Sequence, residues 1–340
     1  MYGKTSTKDI IASVLSKKYK VLKTEGNLNN HIGLPLTLLK LKDQTAVVVE
    51  MGMNHFGEIS LLTNIAKPTG CVITNIGTSH IGYLGSRENI LKAKLEILEG
   101  LSEDGFVLIN NDNDLLNNWS KEQNKYRVYT YGIENDSTYK VKNIIQSENE
   151  SNFEINGASC KVPIGGEHFI YNAACAFGIG DLLDVSKKDI VKGISEFKLT
   201  SKRMEIINIK DDIKIINDSY NASYDSMKAA LEVIKNTNAR RKIAVLGSMM
   251  ELGEYTNKLH EEVGKEVVNN KIDILITVGD YAKEIARKAK ELGMNNIFEF
   301  DKTEEAANYL KNNMIKGDLI LLKASNSMNF SKILDYLKKA

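Results

Sequence analysis

The 340 residues carry 45 basic and 44 acidic side chains, a formal charge of +1 with no polybasic block, which leaves no electrostatic footprint for nucleic acid or an anionic membrane surface. No apolar run approaches the roughly eighteen residues of a spanning helix, and the opening lacks the charged-then-apolar order of a signal peptide. Cys71, Cys160 and Cys175 stand singly, neither a disulfide framework nor a zinc spacing, which fits a cytoplasmic protein in a reducing compartment.

The chain opens Met1-Tyr2-Gly3-Lys4-Thr5-Ser6-Thr7 and runs into an amphipathic helical pattern over 8–15. Gly-Lys-Thr ahead of a helix is the second half of a phosphate-binding loop. Helix-terminal N–H groups face phosphate oxygens, the lysine neutralises the β- and γ-phosphates, and the threonine hydroxyl can ligate Mg2+. The tripeptide fits an ordinary surface turn equally well. The first half of such a loop, with the strand before it, is absent from the 340 residues. A truncated product or a start assigned inside a longer reading frame is therefore expected, with little turnover from the chain alone.

Residues 46–50, 71–75 and 106–110 are nearly continuously apolar and predict buried strands. Between them 87–99 has helical periodicity, with Ile90, Leu91, Ala93, Lys94, Ile97 and Leu98 on one side. The polar stretch 125–162 predicts a small antiparallel excursion, followed by helices over 166–183 and 187–197. A second series then sets strands at 214–217, 242–246, 273–278, 297–300 and 318–322 against helices at 223–235, 257–269, 281–292, 304–314 and 327–338. This alternation predicts an α/β protein with parallel sheets covered on both faces. Two domains follow, 1–199 and 200–340, with the joint in 198–202.

Parallel sheets place ligand sites beyond the carboxyl ends of their strands, and three polar clusters stand at such positions. Glu50 ends a run of valines, where a buried carboxylate needs a cation or a strong donor; a strand end reaching solvent explains it too. His80 closes Asn75-Ile76-Gly77-Thr78-Ser79-His80 and suits a divalent metal when neutral, though a histidine in a loop is commonly structural. Lys94 falls on the apolar side of its helix, so it either faces the protein with a weakened hold on its proton or snorkels outward.

Taken together, GKTSTKD, GNLNNHIGLPLTLL, VVEMGMNHFGEI, NIGTSHIGYLGS and KAKLEI resemble the central domain of the Mur ligases. The later segments Asp218-Ser219-Tyr220-Asn221-Ala222-Ser223, Leu246-Gly247-Ser248-Met249-Met250-Glu251-Leu252-Gly253-Glu254 with His260 beyond, and Leu322-Lys323-Ala324-Ser325-Asn326-Ser327-Met328 are similar to that family's C-terminal domain. The resemblance implies a P-loop-type central ATPase domain with a mainly parallel sheet, joined to a Rossmann-like α/β domain. The segments look most like the branch that adds D-alanyl-D-alanine to UDP-N-acetylmuramoyl-tripeptide in peptidoglycan precursor synthesis. That branch spends ATP on an acyl-phosphate intermediate.

Carried over position by position, the resemblance makes Lys4, His80, Lys94 and Arg203 catalytic. Gly3, Lys4, Thr5, Ser6, Asn172, Arg203 and Asp218 would bind ATP. Two Mg2+ ions would draw on Thr5, Glu50, His80 and Lys94, the last as a carbamate. Asn221, Ser223, Lys323 and Ser325 would lie near the substrates. A domain closure bringing Arg203 and Asp218 onto the nucleotide, and a monomeric state, are also implied. Tyr224 departs from the family's usual proline and Asn326 from its usual arginine, and no segment corresponds to the N-terminal domain that grips the UDP substrate. Two other readings stay open: a different carboxylate–amine ligase of the folylpolyglutamate synthetase kind, and a shortened, inactive nucleotide-binding remnant.

Overall fold

Gly3 takes φ 88° and ψ −28°, a left-handed conformation open to glycine, and so turns the chain into helix α1 (Lys4–Leu15). The computed structural model describes residues 3–198, 200–209 and 212–338. The chain divides into two units, Met1–Thr200 and Ser201–Ala340. Leu199, inside the expected joint, lies outside the described residues.

In the first unit α1 is followed by β1 (Val21–Lys23), α2 (Gly33–Leu38), β2 (Ala46–Val48), α3 (Glu58–Ala66), β3 (Gly70–Ile73), α4 (Ile81–Leu84) and α5 (Arg87–Leu95). Then come β4 (Phe106–Asn110), α6 (Asp114–Glu122), β5 (Arg127–Gly132), β6 (Tyr139–Gln146), β7 (Ser151–Ile155), β8 (Ala158–Val162), α7 (Glu167–Leu182) and α8 (Lys187–Ser195). β1 and β2 pair in parallel as a two-stranded ribbon, while β3 to β8 form a six-stranded sheet in chain order. Helix α7 is the central pillar: Phe169, Ile170 and every residue from Asn172 to Gly180 are buried.

Several expectations are corrected here. The antiparallel excursion begins only after β6, since β4–β5 and β5–β6 pair in parallel and β6–β7 and β7–β8 antiparallel. Arg127–Gly132 alternates too little apolar surface to announce a core strand. The strand expected at 46–50 stops at Val48, and the helix expected over 87–99 ends at Leu95 and tightens into a 3-10 turn, Glu96–Gly100. Tertiary contacts explain that turn. Glu96 accepts from the backbone N–H of Gly57 and Ser60 at the start of α3, and a side chain at Gly100 would lie 2.3 Å from the Thr63 carbonyl oxygen.

The second unit contains β9 (Glu205–Asn208), β10 (Lys214–Asn217), α9 (Tyr224–Asn236), β11 (Arg241–Gly247), α10 (Thr256–Asn269) and β12 (Ile274–Val278). It continues with α11 (Lys283–Glu291), β13 (Ile297–Phe300), α12 (Thr303–Asn313), β14 (Asp318–Lys323) and α13 (Ser331–Leu337). Its sheet has the order β13-β12-β11-β14-β10-β9, parallel except for β9, which the periodicity did not show. Ile215, Ile243, Val245, Ile276, Ile320 and Leu322 build one face of its core. Among the described residues no helix is long and apolar enough to cross a membrane.

Candidate active site

In the first unit Lys4, Glu50 and Lys94 line one cavity where α1 starts and β2 and β3 end, and His80 is not among the residues that line it. Lys8, one turn into α1, is taken up by the Thr24 carbonyl at 2.7 Å and by Asp9. Lys4 instead donates to the Met51 carbonyl at 2.7 Å and lies 3.8 Å from Glu50 Oε1. Thr5 and Ser6 are buried beside it.

Glu50 is only 7% exposed, so the solvent explanation fails. Its backbone N–H donates to Thr24 Oγ1 and its Oε1 accepts from Asn29 Nδ2. Burial works to raise the carboxyl; the Lys4 ammonium and the donors on Asn29 and Thr5 outweigh it, holding the group below the ordinary carboxylate value. It is thus an anion at neutral pH, with Oε2 buried and without a hydrogen-bond partner. An orphaned carboxylate oxygen of this kind is costly unless a cation or donor completes it.

Asn172 shows a second orphan. Its Oδ1 accepts from Thr7 Oγ1 at 3.0 Å, which fixes the amide against α1, and its Nδ2 is buried without a partner. A donor held open beside the helix start fits the acceptor-rich edge of a base or a phosphate.

Lys94 faces the protein rather than snorkelling outward: Nζ donates to the Asn75 carbonyl, and the residue lines one cavity with Lys4 and Glu50. His80 sits five residues past Asn75 as the left-handed N-cap of α4, φ 63°. The loop between them is held by residues the sequence did not single out. Arg87 donates to the Ile76 carbonyl through Nε and Nη2 and grips Asp114, while Asn113 Nδ2 donates to Asn75 Oδ1. Neither had a sequence signal beyond its place after a strand or at a helix start. The cysteines take no part: burial pushes the Cys71 and Cys160 thiols up to about 12, so both stay neutral.

The second unit gathers its expected residues at the carboxyl ends of β10, β11 and β14. Lys323, 1% exposed, sends Nζ to Asp218 Oδ2 at 2.5 Å and to the Asn221 carbonyl at 3.2 Å. Burial lowers its pKa against the opposing pull of Asp218. Asp218 Oδ1 also accepts from Met204 N–H, and Arg203 stacks on the Tyr220 ring at 3.9 Å from the centroid. Ser223 is the buried N-cap of α9. Ser325 accepts from Met250 N–H, and its own N–H donates to the Ser248 carbonyl. His260, buried, accepts from Met249 N–H at Nε2, leaving Nδ1 to donate to the Thr256 carbonyl. It braces this loop as a neutral ring, its pKa lowered by burial.

A lysine, two hydroxyls and an incomplete carboxylate stand together at a helix start in an α/β protein, an arrangement whose chemistry suits an anion. Comparison with known proteins narrows this. The Mur ligase middle domain matches residues 2–180, and the Mur ligase glutamate ligase domain matches 202–326. The UDP-N-acetylmuramoyl-tripeptide–D-alanyl-D-alanine ligase of Bacillus subtilis (strain 168) is 42% identical over 97% of this chain and 73% of its own length. Its counterpart from Synechocystis is 34% identical over 98% and 72%. Among solved structures, MurF from Acinetobacter baumannii superposes with a TM-score of 0.91 at 28% identity, covering 99% of this chain and 74% of that one. MurF ligase from Thermotoga maritima in complex with ADP gives 0.88 at 27% identity, covering 100% and 78%. The chain belongs to the Mur ligase family.

Proposed function

We propose that the chain is an ATP-dependent carboxylate–amine ligase that joins D-alanyl-D-alanine to UDP-N-acetylmuramoyl-tripeptide in peptidoglycan precursor synthesis. The observation that carries the reading is the incomplete Glu50 carboxylate beside Lys4 at the start of α1, in a chain 42% identical to a ligase so named. A carboxylate and an amine do not condense spontaneously in water. Transfer of the γ-phosphoryl of ATP to the peptide carboxylate gives an acyl phosphate; the dipeptide amine then attacks the acyl carbon and phosphate leaves.

The residues present fit Mg2+: hard oxygen donors are what it takes, and Glu50 Oε2 is such an oxygen left open. Glu50 and Thr5 would hold the ion with phosphate oxygens, and His80 and a carbamylated Lys94 would hold a second. When bound, Mg2+ disperses charge on the transferred phosphoryl group. The chain's own part is placement. The N–H groups of Lys4, Thr5 and Ser6 offer the positive end of α1 to phosphate, and Lys4 adds a full charge. Asn172 would present its open amide to the nucleotide. Arg203 and Asp218 are assigned to nucleotide recognition, and Asn221, Ser223, Lys323 and Ser325 to the substrates. A carbamate on Lys94 forms when the neutral amine adds CO2 and releases a proton; a 13C carbamate signal under labelled bicarbonate, absent in Lys94→Arg, tests it.

The function is tested by phosphate release from ATP, whose readout is dependence on substrate rather than the size of the rate. Release that requires both UDP-N-acetylmuramoyl-tripeptide and D-Ala-D-Ala is expected. Release indifferent to either one overturns the reading, as does Mg·ATP binding with no phosphate formed when both are present.

A further inference from the structure

Lys4 and Glu50 carry opposite charges on side chains only 18% and 6% exposed, yet Lys4 Nζ stops 3.8 Å from Glu50 Oε1. A direct bond between an ammonium and a carboxylate closes to about 2.7–2.9 Å, and the attraction steepens as water is excluded. Two hydrogen bonds hold the charges short of contact. The Met51 carbonyl takes the ammonium at 2.7 Å, and Asn29 Nδ2 donates to that same Oε1 at 2.9 Å. The backbone of Glu50 is fixed independently. Its N–H donates to Thr24 Oγ1, and Thr24 is tied to the Val48 carbonyl through its own N–H and to Lys8 through its carbonyl. The terminal carboxylate torsion, broad and roughly two-fold by nature, is what the Asn29 amide sets.

Asn29 is itself placed by backbone bonds. Its N–H donates to the Asn27 carbonyl and its carbonyl accepts from Gly52 N–H, both at 2.7 Å. The amide lies against Gly52, where a Cβ would come within 2.9 Å of Asn29 Oδ1 and 3.1 Å of Cγ. The loop between β1 and α2 and the second residue past Glu50 thus fix one amide over one carboxylate oxygen.

We infer that Asn29 is a positioning residue that keeps Lys4 and Glu50 from neutralising each other. With Oε1 satisfied by a neutral donor, Glu50 keeps its full negative charge and an open Oε2. Lys4, held by a neutral carbonyl, keeps its positive charge for another anion. Without the amide, Oε1 would be a buried carboxylate oxygen short of a donor, and the ammonium 3.8 Å away is able to supply one. The internal salt bridge would then take the lysine from phosphate and the carboxylate from a cation at once. That consequence for ligands rests on the phosphate and Mg2+ reading of the site; the separation of the charges does not.

The first test needs no ligand. Urea unfolding is measured for Lys4→Met in the unmodified chain and in Asn29→Leu, which removes the donor at similar volume. With the lysine bridging directly, Lys4→Met should cost at least about twice as much stability in the Asn29→Leu chain as it does with Asn29 present. An equal or smaller loss overturns the inference. Gly52→Ala, whose Cβ displaces the amide, should act as Asn29→Leu does and replaces it if that variant does not unfold cooperatively.

The second test is ADP binding, in EDTA and in Mg2+. Asn29→Leu should weaken binding about tenfold in EDTA, because Lys4 is engaged. Adding Glu50→Gln frees the lysine and should restore the metal-free affinity while the Mg2+-dependent gain stays lost. An asparagine that only stabilises its loop gives no such recovery, so a double variant no tighter than Asn29→Leu in EDTA overturns the inference. An unmodified chain that binds no ADP overturns the phosphate reading instead, and the urea comparison still decides the role of Asn29.

Discussion

The Lys323 ammonium and the Asp218 carboxylate meet at 2.5 Å across the carboxyl ends of adjacent parallel strands, β14 and β10. The lysine is 1% exposed, so the pair is desolvated and each charge depends on the other. Removing one partner from a buried pair costs about 3 kcal/mol or more, whereas removing both can be close to neutral. Lys323→Met is expected to destabilise the chain by about that amount in urea unfolding, and Asp218→Asn added to it should recover most of the loss. An additive double variant would show that the two side chains act independently.

Glu50 sets a pH dependence. Its folded carboxyl lies below the ordinary value of 4.5, so its contribution to stability is complete above that value and lost as pH falls through the folded value. The difference in unfolding free energy between the protein and Glu50→Gln, about 2 kcal/mol at neutral pH, should be flat above pH 4.5 and shrink below it. A difference that widens on acidification contradicts the ion pair with Lys4. Mg2+-dependent binding of ADP should weaken in the same variant by about tenfold, with less loss in the absence of the metal.

Gly3→Ala should act on both stability and binding. At φ 88° an L-residue is strained by about 1–2 kcal/mol, and the added Cβ would lie 3.2 Å from Asn172 Oδ1. Thermal unfolding should detect the first effect and ADP titration the second. Asn172→Ala should weaken nucleotide binding without the backbone cost.

Arg87 positions a loop rather than touching substrate. Its ion pair with Asp114 is partly exposed, 36% and 61% at the two side chains, so Arg87→Ala should change global stability by less than about 1 kcal/mol. Hydrogen exchange in 76–80 should nevertheless accelerate and the Mg2+ requirement rise. Arg87→Lys should not restore either, since an ammonium cannot hold the Ile76 carbonyl and Asp114 with one planar fork.

Much of the second unit was legible in the sequence because its strands are buried on both faces and read as unbroken apolar runs. Ile243 to Leu246 and Leu319 to Leu322, each 2% exposed or less, need no partner to be recognised. The first unit was harder. β1 and β2 are three residues each, too short for periodicity, and β5 is exposed at Arg127 and half-buried from Val128 to Thr130. The Gly-Lys-Thr start stood out as half of a phosphate-loop motif, and the acid after the valines and the inward lysine because each breaks a local rule: a carboxylate in apolar chain, a charge on an apolar face. Arg87, Asn113 and Asn29 break none.

The sequence by itself determined the α/β alternation and singled out Lys4 within a phosphate-loop motif and Glu50 and Lys94 as charges in apolar surroundings, because burial and backbone preference are local properties that a chain carries with it. Only the tertiary structure decided which oxygen of Glu50 remains open, which amide meets the other, and which lysine of α1 is consumed by Thr24. Those are matters of which group arrives opposite which, and residues as distant as Lys4 and Glu50 acquire a mutual energy only once the fold has brought them to 3.8 Å.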